Sequence, residues 1–340
     1  MTNSMTKKFY MQTDLESISH LKTMVGNTPL RKCSFLSLRY HTNVFVKEEF
    51  HNNPGMSSKD RPALFMLEDA IRGKKIKKDG IFVEASSGNT GVSIALLAKR
   101  LGYRSKIFIS GKTSVEKTDL LKSIGACVEI CENSNGLEDP HSTQSRAQAF
   151  VDENPDAYFT NQYYNPQNLH AHYQTTGPEI WEQTGGQVTH FVAGIGTGGT
   201  ISGVGKYLKE KNSTVSVWGV EPRGSVLAGF LETGKLPGGK VSFDCIDGIG
   251  RNFIPGSFDP RFVDNIFQVD LEGTRATAHE YTGKTGFLPG FSSAAVLAAM
   301  DRHISTMNLN YLHTLVLLFP DHGSRYLSKL YTPNKSTLTA

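Results

Sequence analysis

Two short segments contain the residue types from which a small-molecule site could be built. The first is the loop Gly194-Ile-Gly-Thr-Gly-Gly-Thr200, which follows an apolar run and precedes a helical pattern. Bare glycine amides at the beginning of a helix bind phosphate groups of several kinds. Thr197 and Thr200 add hydroxyl donors that could converge on one phosphate. The loop therefore favours a ligand with a single phosphate monoester.

The same loop permits a second interpretation. Gly194-x-Gly196-x-x-Gly199 satisfies the dinucleotide-binding fingerprint. Glu221 follows about 20 residues later, where an acid that binds a ribose would lie. An NAD-dependent dehydrogenase is therefore a hypothesis from a different enzyme class.

The second segment is Asn53-Pro-Gly-Met-Ser-Ser-Lys-Asp-Arg61, in which Lys59 lies among turn-forming residues before a predicted helix. A lysine in such a place is usually a solvated surface residue. A lysine that forms an imine with a cofactor aldehyde needs rigid neighbours and a separate cradle for the cofactor's phosphate. Because residues 196–200 could supply that cradle, Lys59 is a candidate for covalent catalysis.

A third set of motifs resembles that of the penicillin-recognising serine enzymes. Ser114-x-x-Lys117, Tyr163-x-Asn165 and Lys284-Thr-Gly286 occur in the required order. Motifs of this size recur by chance, and Ser114 directly follows Thr113, the predicted N-cap of an ordinary amphipathic helix. A serine acyltransferase is therefore the weakest of these hypotheses.

The elements around these segments predict an α/β fold. Apolar runs at Ile81–Ala85, Lys106–Ile109 and Cys127–Cys131 alternate with helical patterns, which indicates a βαβαβ unit. A second motif of this kind, a βαβ segment, runs from the strand His190–Ala193 through the glycine loop and a helix to the strand Val215–Val220. Parallel strands joined by helices bind ligands at the carboxyl ends of the strands. In this way the polar loop Ser86-Ser-Gly-Asn-Thr-Gly91 follows the strand Ile81–Ala85, and the glycine loop follows the strand His190–Ala193.

Length and composition limit the classes of protein further. The chain has 340 residues, enough for roughly two domains, and its 36 Lys and Arg against 32 Asp and Glu give a net charge of +4. Without a clustered basic stripe, neither nucleic acid nor a membrane surface is an expected partner. The 4 cysteines lack metal-binding spacing, so no metal is expected. No apolar run approaches the ~20 residues of a membrane span and residues 1–17 lack a secretory signal, which predicts a cytoplasmic protein.

Short motifs occur in a fixed order along nearly the whole chain. They are Val25-Gly-Asn-Thr-Pro-Leu30, Ser58-Lys-Asp-Arg61, Ser87-Gly-Asn-Thr-Gly91, Asn161-Gln162, Thr175-Thr-Gly-Pro-Glu-Ile180, Gly196-Thr-Gly-Gly-Thr200, Gly248-Ile-Gly250 and Gly290-Phe-Ser-Ser293. Together they resemble one family, the fold-type II pyridoxal-phosphate enzymes of the cysteine synthase and cystathionine β-synthase group. No single motif is specific, but the ordered set is.

The resemblance implies a fold similar to that of the tryptophan synthase β-subunit, with two three-layer αβα domains and mainly parallel sheets. Residues 1–54 and 167–340 would form the larger domain, which binds the cofactor's phosphate. Residues 55–166 would form a smaller, mobile domain that carries the substrate-carboxylate loop. The family also implies a homodimer.

Carried over position by position, the resemblance makes Lys59 the lysine that forms the imine with pyridoxal 5'-phosphate. Asn89 would bond the ring hydroxyl oxygen, and Ser292 would face the pyridine nitrogen. The residues implied for the phosphate cup are Gly196, Thr197, Gly198, Gly199 and Thr200. Those implied for the substrate carboxylate are Ser86, Ser87, Asn89 and Thr90, with Gln162 assisting.

The implied reaction is β-replacement. A neutral serine hydroxyl at the ring nitrogen makes the cofactor a weaker electron sink than a carboxylate would, which favours loss of a β-leaving group. Lys59 would take the α-proton as general base, and a nucleophile would attack the resulting α-aminoacrylate. With O-acetylserine or O-phosphoserine and sulfide, the chain would act as a cysteine synthase. The alternatives are serine with homocysteine, as in cystathionine β-synthase, and phosphoserine with an amino-acid nucleophile on a route to 2,3-diaminopropionate.

Three departures from the cysteine synthase pattern bear on the substrate. Gly250-Arg251-Asn252-Phe253 stands where Gly-Ala-Gly-Phe is common, and the Arg251 guanidinium could hold a phosphate leaving group bidentately or form a surface ion pair. Pro62 replaces the usual Ile, as in enzymes of the diaminopropionate route. His322 stands where Ser or Arg is usual and is interpreted as a structural histidine.

Overall fold

The structure, a computed structural model, describes residues 14–111, 113, 115–132, 136–238 and 241–331. They divide into two compact units. The first unit contains residues 14–26 and Asn52–Ala171, and the second contains Asn27–His51 and the chain from His172 onward.

The strands in chain order are β1 (Leu30–Lys32), β2 (Asn43–Glu48), β3 (Ile81–Ala85), β4 (Arg104–Ser110), β5 (Cys127–Cys131), β6 (Ala157–Phe159), β7 (His190–Gly194), β8 (Ser216–Pro222), β9 (Asn265–Val269) and β10 (Thr314–Phe319). The α-helices are α1 (residues 14–24), α2 (Ser34–Tyr40), α3 (Asp60–Arg72), α4 (Asn89–Arg100), α5 (Val115–Ile124), α6 (Thr143–Glu153), α7 (Gln167–Gln174), α8 (Thr176–Gln183), α9 (Gly199–Lys211), α10 (Leu227–Thr233), α11 (Leu271–Thr285), α12 (Phe291–His303) and α13 (Leu327–Leu330).

The first unit is built on a parallel sheet in the order β5-β4-β3-β6. Successive residues of each strand point to opposite faces, so the sheet contributes to two apolar clusters. Phe82 and Ile107 pack with α1, α3 and α4 on one face. Val83 and Phe108 pack with Ala147 of α6 on the other. Helices therefore cover both faces, which gives three layers.

The second unit has the same layering around a larger sheet, in the order β1-β2-β10-β7-β8-β9. All neighbouring pairs are parallel except β1 with β2, which are antiparallel. In β10, Leu315 and Leu317 pack against the cluster that contains α12, whereas Val316 and Leu318 pack against the cluster that contains α9. The predicted α/β class, with two three-layer αβα units and mainly parallel sheets, is confirmed.

The division into units differs from the predicted domain boundaries. The prediction placed residues 1–54 and 167–340 in the larger domain, whereas residues 52–54 and 167–171, and the whole segment 14–26, belong to the first, smaller unit. Ile18, Leu21 and Val25 explain the placement of residues 14–26, because they are buried in the same apolar cluster as α3 and α4. That cluster depends on tertiary packing, which local sequence patterns do not display.

Within the described part of the chain, no helix has both the length and the apolar character needed to cross a membrane.

Candidate active site

The glycine loop of the second unit joins the carboxyl end of β7 to the beginning of α9. Gly198 is the N-cap residue of α9 and has a φ of 84°, in the left-handed region that favours glycine. The first N–H groups of an α-helix have no intrahelical acceptor, and the helix dipole adds partial positive charge there. The beginning of α9 therefore presents a set of donors to an anion.

Close packing leaves no room for a side chain at two positions of this loop, Gly196 and Gly198. A Cβ on Gly196 would lie 2.3 Å from the carbonyl oxygen of Gly248, and one on Gly198 would lie 2.5 Å from Cβ of Phe258. The Gly250 amide also donates to the carbonyl of Ile195 at 3.0 Å. The loop is thus held against the segment 248–251, and its form fits a cradle for a phosphate.

Ser292 lies beside the same loop. It is the second residue of α12 and is only 6% exposed. A Cβ on Gly194 would lie 3.5 Å from Cβ of Ser292, and one on Gly248 would lie 4.0 Å from its Oγ. The second unit therefore brings the predicted ring-nitrogen serine next to the predicted phosphate cup.

Arg251 also reaches the loop. Its guanidinium donates to the carbonyl of Gly250, and its Nη2 lies 3.3 Å from the position that a Cβ on Gly196 would occupy. The backbone of Arg251 is fixed by Ser225, whose Oγ accepts from the Arg251 amide at 2.9 Å. The half-buried Arg251 thus places a positive charge beside residues 194–200.

Glu221, the residue that a dinucleotide-binding site would need for a ribose, has a different role. It is fully buried at the end of β8. Its carboxylate accepts hydrogen bonds from Ser225 Oγ, the amides of Leu227 and Ala228, and Gln268 Nε2, at 2.6–3.1 Å. These bonds tie the beginning of α10 to the sheet and do not point the carboxylate at a ligand.

Lys59 lies in the first unit, at the N-cap position of α3. Its Nζ is 3.0 Å from Ser58 Oγ. The neighbouring Asp60 is fully buried and accepts from Ser93 Oγ at 2.5 Å and from the Gly55 amide at 2.8 Å. Asp60 therefore fixes the segment before α3 against α4, which supplies the rigid surroundings that a reactive lysine needs.

The loop from Ser86 to Gly88 joins β3 to α4 in the same unit. Ser86 Oγ accepts from the Gly88 amide at 3.3 Å, and Ser87 Oγ accepts from the Ser110 amide at 2.8 Å. Because both hydroxyl oxygens accept in these bonds, both hydroxyl protons remain available to an anion. Asn89 begins α4, so the loop also presents the first amides of that helix.

Thr90 and Gln162 form a pair within this unit. Thr90 Oγ1 donates to Gln162 Oε1 at 2.6 Å, and both side chains are buried. The hydroxyl proton of Thr90 is therefore directed at Gln162. The roles predicted for Thr90 and Gln162 at a substrate carboxylate stay predictions.

A buried acid, Glu84, supports this pair and was not among the predicted site residues. It lies on β3, is fully buried, and accepts from Thr160 Oγ1 at 2.6 Å and from the Ala85 and Gln162 amides at 2.9 and 3.3 Å. Burial raises the pKa of Glu84 to about 7, although these hydrogen bonds oppose the shift. The signal in the sequence was a glutamate inside an apolar strand, two residues before Ser86, the first residue of the serine-rich loop (residues 86–88).

Glu84→Gln is expected to change how stability depends on pH. Because the pKa of folded Glu84 lies above its ordinary value of 4.5, the folded protein keeps this proton between pH 4.5 and about 7 while the unfolded chain releases it. As the pH rises through this window, the free energy of unfolding of the wild type therefore decreases by about 3 kcal/mol relative to that of the uncharged variant. Urea unfolding at pH 5 and pH 8, with the exposed Glu232→Gln as control, measures the difference; a constant difference would contradict the assignment.

The structure also bears on the serine acyltransferase motifs and on His322. Of the set that resembles a serine acyltransferase, Ser114 lies outside the described residues, and Lys284 lies in the last turn of α11. His322 Nδ1 lies 2.9 Å from Ser324 Oγ and accepts from the Ser324 amide at 3.2 Å, so it caps a short 3-10 helix. Burial lowers the pKa of His322. These contacts agree with a structural histidine.

Comparison with known proteins decides between the hypotheses. The family model described as pyridoxal-phosphate dependent enzyme matches residues 21–321. The chain belongs to this family. The match includes the lysine segment, the serine-rich loop and the glycine loop, so the chain uses pyridoxal 5'-phosphate and the dehydrogenase hypothesis is wrong.

Individual relatives cover nearly all of this pyridoxal-phosphate enzyme. Over 311 residues it is 32% identical to cysteine synthase B of Escherichia coli (strain K12), with 92% of this chain and 95% of that protein covered. Over 312 residues it is 33% identical to the O-acetylserine dependent cystathionine beta-synthase of Bacillus subtilis (strain 168), with 92% and 97% covered. The solved structure of O-ureido-L-serine synthase matches with a TM-score of 0.81 at 28% identity and covers 94% of this chain and 98% of that one. The family and these relatives identify an enzyme of the β-replacement type.

Proposed function

We propose that this enzyme replaces the β-substituent of an activated L-serine, O-acetylserine or O-phosphoserine, with sulfide, as a cysteine synthase does. The observation that carries the proposal is the serine-rich loop at the beginning of α4, where two hydroxyl protons and the helix amides can bind a substrate carboxylate. The names of two similar proteins support this choice, since one specifies cysteine synthesis and the other specifies dependence on O-acetylserine.

In this proposal the second unit holds the cofactor's phosphate and ring nitrogen. The amides and hydroxyls of residues 196–200 bind the phosphate, which the packed glycine backbone and the N-terminus of α9 favour. Ser292 bonds the ring nitrogen as a neutral partner. When bound, pyridoxal 5'-phosphate supplies the electron sink that makes the α-proton of an amino acid acidic and allows its β-substituent to leave.

The first unit supplies the lysine and the carboxylate-binding groups. Lys59 would hold the cofactor through its aldehyde, and Lys59 Nζ would accept the α-proton of the amino-acid substrate. Ser86, Ser87 and Asn89 bind the substrate carboxylate, and Asn89 also bonds the ring hydroxyl oxygen. Gln162 assists, with its side chain oriented by the hydroxyl of Thr90.

Every bond change in the reaction is balanced within these groups. The α-proton moves to Lys59 Nζ, and acetate or phosphate departs with the electron pair of the Cβ–O bond. The nucleophile then gives its own pair to Cβ, and Lys59 returns the proton to Cα. No oxidant or reductant is needed.

Arg251 favours O-phosphoserine as the activated serine. Its guanidinium lies beside the glycine loop and could bind a departing phosphate through two charge-assisted hydrogen bonds. Neutral acetate esters offer no dianion to this group. Arg251 would therefore select between the two donors without taking part in bond breaking.

Arg251→Ala is expected to lower kcat/KM for O-phosphoserine about 10- to 100-fold and to change kcat/KM for O-acetylserine less than about threefold, because charge-assisted hydrogen bonds contribute about 1.5–3 kcal/mol. Steady-state kinetics with both donors measures the ratio. Arg275→Ala, which removes an arginine from the exposed face of α11, is the matched control. Equal losses with both donors would refute O-phosphoserine recognition by Arg251.

Homocysteine is the second candidate nucleophile. The similarity to an O-acetylserine dependent cystathionine beta-synthase favours it. An amino-acid nucleophile on a route to 2,3-diaminopropionate is the third, and Pro62 in the first turn of α3 is the residue that favours it. Product analysis with each nucleophile separates the three.

We also propose that the enzyme is a homodimer, as the family resemblance implies. Light scattering during size-exclusion chromatography is expected to give twice the mass of one chain. The cytoplasmic location stays a prediction.

A further inference from the structure

A buried histidine of the second unit lies behind the glycine loop. His172, in α7, has no exposed surface. Its Nε2 lies 3.1 Å from Oγ1 of Thr200, in the first turn of α9, and its Nδ1 lies 2.9 Å from Oγ1 of Thr176, which begins α8. The reaction proposed above does not use this residue. Its position next to a phosphate-cup hydroxyl therefore needs a separate explanation.

The number of protons available to these three side chains limits how they can bond. A threonine hydroxyl has one proton to donate, and a neutral imidazole has one donor nitrogen and one acceptor nitrogen. If Nε2 of His172 carried no proton, Thr200 would have to donate to it. The oxygen of Thr200 would then turn only lone pairs toward an anion in the loop.

The opposite tautomer removes this conflict. With the proton on Nε2, His172 donates to Thr200, so the hydroxyl proton of Thr200 stays available to a phosphate oxygen. Nδ1 then accepts the proton of Thr176, and each of the three groups is paired with the correct polarity. The bond to a phosphate oxygen would be charge-assisted and therefore stronger than a neutral one.

Packing holds the far end of this chain of bonds in place. Helices α8 and α9 approach closely, since a Cβ on Gly177 would lie 2.7 Å from Cβ of Tyr207. Helix α8 is also anchored to β2, because Glu179 accepts from the fully buried Lys47 Nζ at 2.7 Å. Thr176 Oγ1 is therefore held within hydrogen-bond distance of Nδ1, and its hydroxyl can donate to this nitrogen when His172 carries its proton on Nε2.

We propose that His172 is a positioning residue of the phosphate cup, which donates through Nε2 to Thr200 and so directs the only hydroxyl proton of Thr200 at the cofactor's phosphate. This inference rests on the proposed assignment of residues 196–200 as that cup. His172 touches neither the cofactor nor the substrate in this role, and it acts through Thr200 alone.

A double-mutant cycle on the holoenzyme tests the inference. His172→Leu, Thr200→Val and the double variant are compared by the dissociation constant of pyridoxal 5'-phosphate and by the ³¹P chemical shift of the bound phosphate. Thr200→Val is expected to weaken cofactor binding about 10-fold, because a hydrogen bond to a charged group is lost. His172→Leu is expected to weaken it about 5-fold, and the double variant should be no weaker than Thr200→Val within about twofold, because the two residues act in one chain.

Two further variants separate positioning from packing. His172→Gln, whose amide can still donate to Thr200, is expected to keep cofactor affinity within about threefold of the wild type and to retain its ³¹P shift. His190→Leu changes a half-buried histidine at the opposite end of β7 and is expected to leave both readouts unchanged. If His172→Leu does not fold, the Gln variant and Thr200→Val still decide the question.

Two results would overturn the inference in different ways. In the first, the losses of cofactor affinity in the two single variants multiply in the double variant, and His172→Gln does not restore the affinity. His172 would then act only through packing, while the assignment of residues 196–200 to the phosphate cup would stand. Unchanged cofactor affinity and ³¹P shift in Thr200→Val would instead refute the assignment of Thr200 to the cup, and with it this role of His172.

Discussion

Lys59→Ala is expected to abolish covalent attachment of the cofactor and to lower kcat/KM for β-replacement by at least about 10³-fold. The variant loses both the amine that binds the aldehyde and the base that takes the α-proton. Alanine at the N-cap of α3 leaves the Asp60 contacts to Ser93 and Gly55 in place, so the fold of the first unit should persist.

Two measurements check this expectation. The wild type should absorb at about 410 nm, as a lysine imine of pyridoxal phosphate does. Borohydride reduction should then add the mass of one cofactor to the chain. The variant should show neither. Lys75→Ala removes a lysine paired with Asp69 in the same unit and should behave like the wild type. A full mass increase in Lys59→Ala would show that another lysine carries the cofactor.

Gly196→Ala is expected to weaken cofactor binding by more than about 100-fold while the protein stays folded. The added Cβ would lie 2.3 Å from the carbonyl oxygen of Gly248, and a backbone atom cannot move aside as a flexible side chain would. The loop would have to shift away from residues 248–251, which displaces the amides that bind the phosphate. Removal of several charge-assisted hydrogen bonds at about 1.5–3 kcal/mol each accounts for the size of the loss.

Titration of the variant with pyridoxal 5'-phosphate gives the affinity, and circular dichroism confirms the fold. Gly229→Ala in α10 is the matched control, because a Cβ there has no heavy atom within 4 Å. It should bind the cofactor normally. Normal binding by Gly196→Ala as well would contradict the assignment of this loop to the phosphate.

The elements that were predictable from the sequence are those whose signals are local. Strands β3 and β5 have the predicted limits, Ile81–Ala85 and Cys127–Cys131, because each is a short, mostly apolar run followed by polar residues. Strand β6 was not predicted, since it spans only Ala157–Phe159 and exists through pairing with β3. Tertiary pairing alone determines such short strands.

The same distinction applies to the site. The glycine loop, the serine-rich loop and Lys59 are each visible as short motifs, because backbone conformation and helix position give them their chemistry. The partners of Glu84 and His172 are not visible in this way. Glu84 meets Gln162 across 78 positions, and His172 meets Thr200 across 28. Only the packed sheets and helices bring such partners together.

Release of the leaving group is the sharpest test of β-replacement on an activated serine. The purified yellow enzyme is given O-acetylserine or O-phosphoserine, and its absorption spectrum and the acetate or phosphate released are followed with sulfide, homocysteine, cyanide or an amino acid present. The cofactor band is expected to shift with at least one donor, and one amino-acid product should form for each leaving group released. An unchanged band and no release with either donor and any of these nucleophiles would contradict it.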